Sequence, residues 1–183
     1  DEPFQPISES VKSVDMNAVS VFKDMKCNIE KANLDFLYSL DAMGTSSKIA
    51  SVEGGRDLEP LFEGKEDLLA FSMQRRLSMP KPSQQEYVQA LLNRQQIRQG
   101  FMHFFKNIDI LICPTSPVSA PNHNSVELEV DEALTPGRTA LMSTLVYDLT
   151  GAPAISVPFG KDKNGMPIGI QIVGRHFEET TVL

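Results

Sequence analysis

The sequence predicts an α/β protein in which several helices precede a small sheet that ends in a hairpin. Apolar residues recur at three- and four-residue steps through about the first hundred residues, as they do on one face of a helix. After Asn107 short apolar runs replace that pattern, which indicates strands. An Asn164-Gly165 pair separates the last two runs, and such a pair is typical of a tight hairpin turn.

The helical part is expected to open with an entry segment over residues 1–14 and a first helix from Asp15. The apolar stripe of that helix is Val19, Phe22, Met25 and Ile29. A second helix is predicted over 33–51. Its buried stripe is Phe36, Leu37, Leu40 and Met43. Gly64 then interrupts the chain, and a further helix is closed by Pro80 and Pro82.

The clearest helix begins at Ser83. A serine followed three residues later by Glu86 is the pattern of a capping box, in which each residue satisfies a free backbone N–H of the other. The predicted apolar face of this helix is Tyr87, Leu91, Ile97, Phe101, Phe104 and Phe105.

The strand part begins with "DILICP" (109–114), a short apolar run that proline ends. A long polar loop is expected over 115–134, followed by a helix with Thr135 as N-cap, Pro136 at its first position and Gly151 as C-cap. Strands are predicted over 154–159 and 168–174. In the second of these, Ile168, Ile170 and Ile172 share one face, while Gly169 and Gln171 share the other.

Composition limits the classes of function. The chain has 183 residues, 41% of them hydrophobic, which suits one domain or one domain with a helical arm. The net charge of −7 argues against nucleic acid as a partner. No apolar stretch approaches the roughly 20 residues that cross a bilayer. The two cysteines, Cys27 and Cys113, form no disulfide framework, so a cytoplasmic location is expected.

Residue chemistry offers two candidate catalytic centres. In "MGTSSKIASVEGG", Ser46 and Ser47 precede Lys48, and a neutral lysine can activate a hydroxyl nucleophile. Neighbours on a helix project about 100° apart, however, so these groups do not face each other. The structural alternative is that the small residues of this stretch let its helix pack closely against a neighbour.

The second candidate is Cys113 at a strand end, with His103, His123 or His176 as its base; its structural alternative is a small buried hydrophobe. No metal-ligand spacing occurs, and "EGGRD" is neither a phosphate-binding loop nor a dinucleotide fingerprint. We therefore expect no metal and no cofactor.

Two long motifs carry a resemblance to a known family. "PSQQEYVQALLNRQQIRQGFMHFFKNIDILICPTSPVSAP" and "YDLTGAPAISVPFGKDKNGMPIGIQIVGRHFEETTVL" resemble, in order, spacing and length, the carboxyl-terminal part of amidase-signature enzymes. "GTSSKIASVEGGR" is similar to a stretch of the family's glutamine-using branch. The chain departs from the family at Asp148, usually Asn, and at His176, usually Pro.

The resemblance implies a fold and a mechanism. The fold is several helices packed on part of a mixed β-sheet, divided into a helical arm (1–57) and an α/β part (58–183) of the same domain. The family's nucleophile is a serine activated by a second serine and a lysine. These residues lie in a Gly-Ser-Ser-Gly-Gly signature and an upstream lysine-bearing strand, both in the family's amino-terminal half, and nothing in this chain matches them. The opening without Met and the end at "EETTVL" suggest a piece of a longer chain, so we expect no catalytic residue here and an inactive polypeptide.

The resemblance also implies substrate-binding residues. The helix before the Gly-x-Pro-Ala run walls the acyl side of the family's pocket, so Arg138, Leu141 and Leu145 are candidates. The glutamine-using branch has an aspartate in place of Leu141, and an apolar side chain there favours an aliphatic acyl group. Arg56 matches an arginine that binds a substrate carboxylate; its alternative is an ordinary surface arginine.

The expected function is therefore hydrolysis of linear or cyclic amides, of the aminohexanoate type for example, in a protein to which this chain contributes pocket and scaffold. The alternative is a binding or interaction module that kept the scaffold without the chemistry. The amidotransferase subunit that works on charged tRNA is disfavoured by Leu141 and by the acidic charge balance. Exposed strand edges further predict that the polypeptide self-associates.

Overall fold

The computed structural model of the chain describes residues 6–123, 125, 127–131 and 133–183. Seven α-helices and five strands occur within these residues. The helices are α1 (Glu9–Asp24), α2 (Phe36–Ser39), α3 (Ala42–Phe62), α4 (Phe71–Leu77), α5 (Gln84–Phe104), α6 (Met142–Thr150) and α7 (Glu179–Val182). The strands are β1 (Ile110–Pro114), β2 (Glu127–Val130), β3 (Ala133–Pro136), β4 (Ala154–Lys161) and β5 (Pro167–Gly174). Short 3₁₀ segments cover Glu66–Leu68 and Gly137–Leu141.

The main sheet has the order β1-β5-β4, and both of its pairings are antiparallel. The predicted α/β class is confirmed. A mixed sheet was expected, and the described strands contribute only antiparallel pairs. β4 and β5 form the predicted terminal hairpin, in which the Asp162 carboxylate accepts hydrogen bonds from the N–H groups of Asn164 and Met166. Gly165 adopts φ 81°, as the turn requires.

The sheet lies between helices. On one face Ile168 and Ile170 pack against Val11, Val14 and Ala18 of α1. On the other face Leu111, Cys113 and Val173 join the core formed with α3, α5 and α6. The core on that second face includes Phe101, which is fully buried and contacts the rings of Phe36, Phe105 and Tyr147.

The first helix differs from its prediction. It begins at Glu9 and ends at Asp24, so the entry segment is shorter than expected and Ile29 lies beyond the helix. Its buried residues are Val11, Val14 and Ala18, about two turns before the predicted stripe. The face that packs against the sheet decides which apolar residues are buried, and periodicity alone does not reveal that partner.

The predicted helix over 33–51 is also wrong, because the chain breaks at Asp41 into α2 and α3. Asp41 has φ 44° and accepts a hydrogen bond from the Gly44 N–H at 3.0 Å, so it is the N-cap of α3. α3 then continues past residue 57, the predicted division of the chain, and the two parts share one core. Gly64, at φ 73°, interrupts the chain as predicted.

α5 has the predicted capping box. The Glu86 N–H donates to the Ser83 hydroxyl, and the Ser83 N–H donates to the Glu86 carboxylate at 2.8 Å. At the other end of this region, Arg175 closes the junction of α5, β1 and β5. Its guanidinium donates to the carbonyls of Phe105 at 2.7 Å and Ile108 at 3.0 Å, and it pairs with Asp109.

The predicted polar loop over 115–134 contains part of a hairpin that sequence reasoning missed. β2 and β3 pair antiparallel, with Leu128 opposite Thr135. The alternation of "ELEV" is the signal that would have indicated a strand. Asn124, Val126 and Glu132 of this loop lie outside the described residues, as do residues 1–5 of the entry segment.

None of the helices in the described part is long and apolar enough to cross a bilayer.

Candidate functional site

The candidate site is built on the stretch that joins β3 to β4, which we call the 137–150 segment. It consists of the 3₁₀ turns Gly137–Leu141 followed directly by α6. Gly151 ends α6 with φ 75° and is the predicted C-cap. Thr135 is not the N-cap; it lies in β3, and its hydroxyl donates to the Thr139 hydroxyl at 2.8 Å. The strand extends through Pro136 because Glu127 pairs opposite it.

Three of the four predicted binding residues lie along this segment. Arg138 is exposed, Leu141 is 56% exposed and Leu145 is half-buried. Residues three apart align in a 3₁₀ helix and residues four apart align in an α-helix, so the three side chains follow one another along the outer side. The inner side is buried: Ser143, Val146, Tyr147, Leu149 and Thr150. The segment therefore presents an apolar stripe with one cation at its start.

Arg56 lies elsewhere, on α3. Its side chain is exposed and donates to the carboxylate of Asp57, Nε to Oδ1 at 2.7 Å and Nη2 to Oδ2 at 3.1 Å. The hydrogen bond from Arg56 is the main reason why the pKa of Asp57 is lowered. This guanidinium already has a carboxylate partner on its own helix. Its role in binding a substrate carboxylate stays a prediction.

Polar side chains from α5, from β5 and from the turn after β5 hold the 137–150 segment in place. Arg94 of α5 donates to the carbonyl of Leu149 at 2.9 Å. His176 donates through Nε2 to the carbonyl of Thr150 at 2.9 Å, since a carbonyl only accepts. Gln171 of β5 donates to the carbonyl of Ser143 at 3.1 Å. Sequence reasoning missed these contacts, although a buried-strand pattern interrupted by Gln171 was a usable signal.

Cys113 belongs to a buried polar group beneath α6. Its sulfur lies 3.5 Å from the Tyr147 hydroxyl and 3.6 Å from Gln171 Nε2. Burial raises the pKa of the Cys113 thiol to about 11, and burial likewise raises the pKa of Tyr147 well above its usual value. A thiol that stays protonated at neutral pH is a poor nucleophile. The structure thus supports the interpretation of Cys113 as a small buried hydrophobe rather than as the nucleophile of a cysteine–histidine centre.

The serine–lysine candidate lies in the middle of α3. Ser46 is buried, Ser47 is exposed and Lys48 is half-buried. Within the described residues, no hydrogen bond joins either hydroxyl to the lysine amine. Lys48 instead lies near the capping box of α5. The pKa of Glu86 is lowered chiefly by the Ser83 backbone N–H and then by its hydroxyl, and the charge of Lys48 adds to them.

An uncharged cleft of about 240 Å³ opens where β1 ends. The hydroxyls of Thr115 and Ser156 meet there at 2.7 Å, across Gly169. A Cβ at Gly169 would lie 2.8 Å from the Ser156 oxygen and 3.0 Å from that of Thr115, so the hydroxyl pair depends on this glycine. The remaining lining residues are Ser116, Val118, Ser119, Ala120, Pro121, Pro167 and Ile168. Among the residues that the structure covers, no group of His, Cys, Asp and Glu is placed to hold a metal ion.

Known proteins resemble this chain in sequence and in fold. The family model described as Amidase matches residues 4–183. A fatty acid amide hydrolase of Medicago truncatula is 33% identical over 148 residues, which are 80% of this chain and 23% of that protein. A glutamyl-tRNA(Gln) amidotransferase subunit of Bacillus mycoides (strain KBAB4) is 41% identical over 96 residues, 52% of this chain and 19% of that protein.

Solved structures show the same fold at lower identity. A crystal structure of an amidase superposes with a TM-score of 0.83 at 20% identity, over 96% of this chain and 40% of that one. A 6-aminohexanoate cyclic dimer hydrolase complexed with substrate gives a TM-score of 0.73 at 21% identity, over 97% and 40%. The chain spans less than a quarter of these curated relatives and about two fifths of these solved chains.

A sheet enclosed by helices is the α/β fold that this chain shares with the solved amidases. The chain belongs to the amidase-signature family. The resemblance found in the sequence motifs is thereby confirmed. Because the match begins at residue 4, it also includes the first part of the chain, where the motifs were weaker.

Proposed function

We propose that the protein containing this chain hydrolyses carboxylic amides, linear or cyclic, with an aliphatic acyl group. The 137–150 segment is proposed as one wall of the acyl pocket, with Leu141 and Leu145 in contact with the acyl chain and Arg138 near its polar end. The observation that carries this proposal is the 56% exposure of Leu141 on a segment whose inner side is buried. An exposed leucine gains free energy when an apolar ligand covers it.

The comparisons with known proteins support the cleavage of carboxylic amides. Family membership suggests cleavage of amide bonds, and the relative with the longest match among those described above is named for fatty acid amides. Leu141 provides no carboxylate to bind the amino group of glutamine. We therefore favour aliphatic amides over the glutamine-dependent reaction.

We further propose that the serine nucleophile and its lysine partner lie outside these 183 residues. The sequence has no Gly-Ser-Ser-Gly-Gly run, and Ser46, Ser47 and Lys48 form no relay on α3. The acyl-enzyme chemistry would then proceed at that serine, with backbone N–H groups stabilising the oxyanion. The free cysteines Cys27 and Cys113 support a cytoplasmic location.

The test has two parts. The gene that encodes this chain should also encode a lysine-bearing strand and a Gly-Ser-Ser-Gly-Gly run, and their absence would favour a binding module without catalysis. The complete gene product should release ammonia from dodecanamide, while the 183-residue polypeptide should not. Hydrolysis by the polypeptide alone would overturn the assignment of the nucleophile.

A further inference from the structure

Gln171 occupies the middle of the three-stranded sheet and is only 4% exposed. It lies opposite Cys113 on β1 and Ser156 on β4, so the three residues form a row on one face of the sheet, where α6 contacts Cys113 and Gln171 and Ser156 is exposed. Its neighbour Ile170 points the other way, into the cluster with α1. A buried amide in an apolar strand costs free energy unless it is bonded, so its partner matters.

Gln171 Nε2 lies 3.1 Å from the carbonyl of Ser143 and 3.6 Å from the Cys113 sulfur, and the carbonyl is the stronger acceptor. Ser143 lies in the first turn of α6, where the carbonyl already accepts a bond within the helix. A carbonyl has two lone pairs, so the helix does not need this second bond for its own satisfaction. The bond instead fixes where the helix begins relative to the sheet.

The other end of α6 is held differently. Arg94 and His176 bond the carbonyls of Leu149 and Thr150, which are in the last turn and have no partner within the helix. Those two contacts satisfy carbonyl groups that every helix leaves without a partner in its last turn. At the end that carries Leu141 and Leu145, the Gln171 bond joins α6 to the main sheet, while the Thr135–Thr139 hydroxyl bond joins the preceding 3₁₀ turns to β3.

We propose that Gln171 is a positioning residue that sets the distance of Leu141 and Leu145 from the sheet, and thereby sets the acyl-chain length that the enzyme accepts. Ser143 lies midway between the two leucines and is fully buried, so a movement of its backbone moves both side chains. This inference rests on the proposed function, because it requires that the 137–150 segment contacts the acyl chain.

The kinetic test compares two amides in the complete gene product. Gln171→Met keeps the volume of the side chain and removes the donor. We expect the KM for dodecanamide to rise about tenfold, as for loss of one buried hydrogen bond, with kcat nearly unchanged. For acetamide, which is too short to reach the wall, kcat/KM should stay at the wild-type value. Gln95→Met, the same change at an exposed position on α5, is the control and should alter neither.

Gln171→Glu supplies a rescue experiment. A buried carboxyl group has a raised pKa and, when protonated, donates a hydrogen bond to the Ser143 carbonyl. The KM for dodecanamide, taken relative to wild type at each pH, should therefore fall toward the wild-type value as the pH is lowered. In Gln171→Met the same ratio should not change with pH.

Hydrogen exchange provides a readout that does not need activity. In Gln171→Met the amides of residues 142–150 should exchange about tenfold faster, while those of α5 keep their rates, which also shows that the variant is folded. Equal losses for both amide substrates, a flat pH ratio in Gln171→Glu, or unchanged exchange would each overturn the positioning role. If the wild-type protein cleaves neither amide, the proposed function is refuted. If Gln171→Met still exchanges faster than wild type in that case, the structural role of the Gln171–Ser143 bond stands.

Discussion

At the scale of single residues, Leu141 carries the substrate proposal. Its side chain is 56% exposed at the junction of the 3₁₀ turns and α6, so few packing contacts within the chain depend on it. A change there should affect binding more than folding. The two departures from the family pattern differ in position. His176 bonds the carbonyl at the end of α6, whereas Asp148 is exposed three residues after Leu145, on the same outer side of α6 as the proposed wall.

Leu141→Asp should raise the KM for dodecanamide by about tenfold or more, since a carboxylate would have to be desolvated against an alkyl chain. The thermal midpoint should stay within the error of the measurement. Leu68→Asp, at an 82% exposed leucine in the 3₁₀ segment between α3 and α4, is the matched control and should leave KM unchanged. An identical effect of both substitutions would contradict the assignment of Leu141 to the pocket.

Cys113 predicts a pH dependence of stability. The thiol has an ordinary pKa of 9.0 and a folded pKa of about 11, because burial disfavours the thiolate. Below pH 9 the thiol is protonated in both the folded and the unfolded protein, so its ionisation does not lower the free energy of unfolding. Above it the unfolded state ionises first, so the free energy of unfolding should fall by about 1.4 kcal/mol per pH unit up to about pH 11.

Urea titrations between pH 8 and 11 would measure this slope. Cys113→Ala should show a flatter decline, whatever its stability at pH 8, because only the slope reports the thiol. Parallel curves for wild type and variant would argue that Cys113 does not titrate as described.

At the scale of elements, local signals were predictable and contacts between distant segments were not. The capping box of Ser83 and Glu86 and the turn at Asn164-Gly165 are set by neighbouring residues, and both were found in the sequence. The break at Asp41 was missed because the apolar spacing continues across it. The bond from Gln171 to Ser143 joins residues 28 positions apart, which no pattern along the chain encodes. Arg138, Leu141 and Leu145 came from family resemblance, since residue chemistry alone indicated no site.

The packing of α5 against α2 predicts that a glycine-to-alanine change in α5 lowers stability, although helix propensity alone would raise it. Alanine in place of glycine usually stabilises a helix by about 1 kcal/mol. At Gly100, however, a Cβ would lie 2.7 Å from the ring of Phe36, which packs edge-on against Phe101. We expect Gly100→Ala to destabilise the protein by roughly 1–2 kcal/mol, measured by urea unfolding.

Gly54→Ala is the matched control for this experiment. Gly54 is also inside a helix, but its nearest neighbour, at 3.2 Å, is the end of the Arg76 side chain, which can move. This variant should be neutral or more stable. Stabilisation by both substitutions would mean that the Phe36 ring yields easily and that α2 is loosely attached.

At the scale of the whole molecule, the sheet has an edge at β4. Among the described strands this one pairs only with β5, and Val157 and Phe159 are 37% and 38% exposed. Open edges with apolar side chains tend to pair with another strand. The predicted self-association of the 183-residue polypeptide therefore has a defined candidate surface, which remains a proposal.

Light scattering over a wide range of protein concentration would test it. We expect an average mass above that of the monomer, and a return toward the monomer in a Val157→Lys, Phe159→Lys double variant, since edge lysines oppose pairing. Lysines at Leu58 and Leu61, exposed on α3, serve as the control. A monomer at every concentration would disprove self-association, and an equal effect of the α3 lysines would move it to another surface.

The pairing of β1 with β5 also bears on how the chain is made. Ile110 lies opposite Gly174, so the ribosome must add all the intervening residues before β1 meets this neighbour. At ordinary rates of translation that interval lasts several seconds, roughly 3 to 13. During it α3 and α5 can already pack together, whereas the apolar run "ILIC" stays without its partner strand. A nascent-chain chaperone would have its best opportunity to bind in that interval.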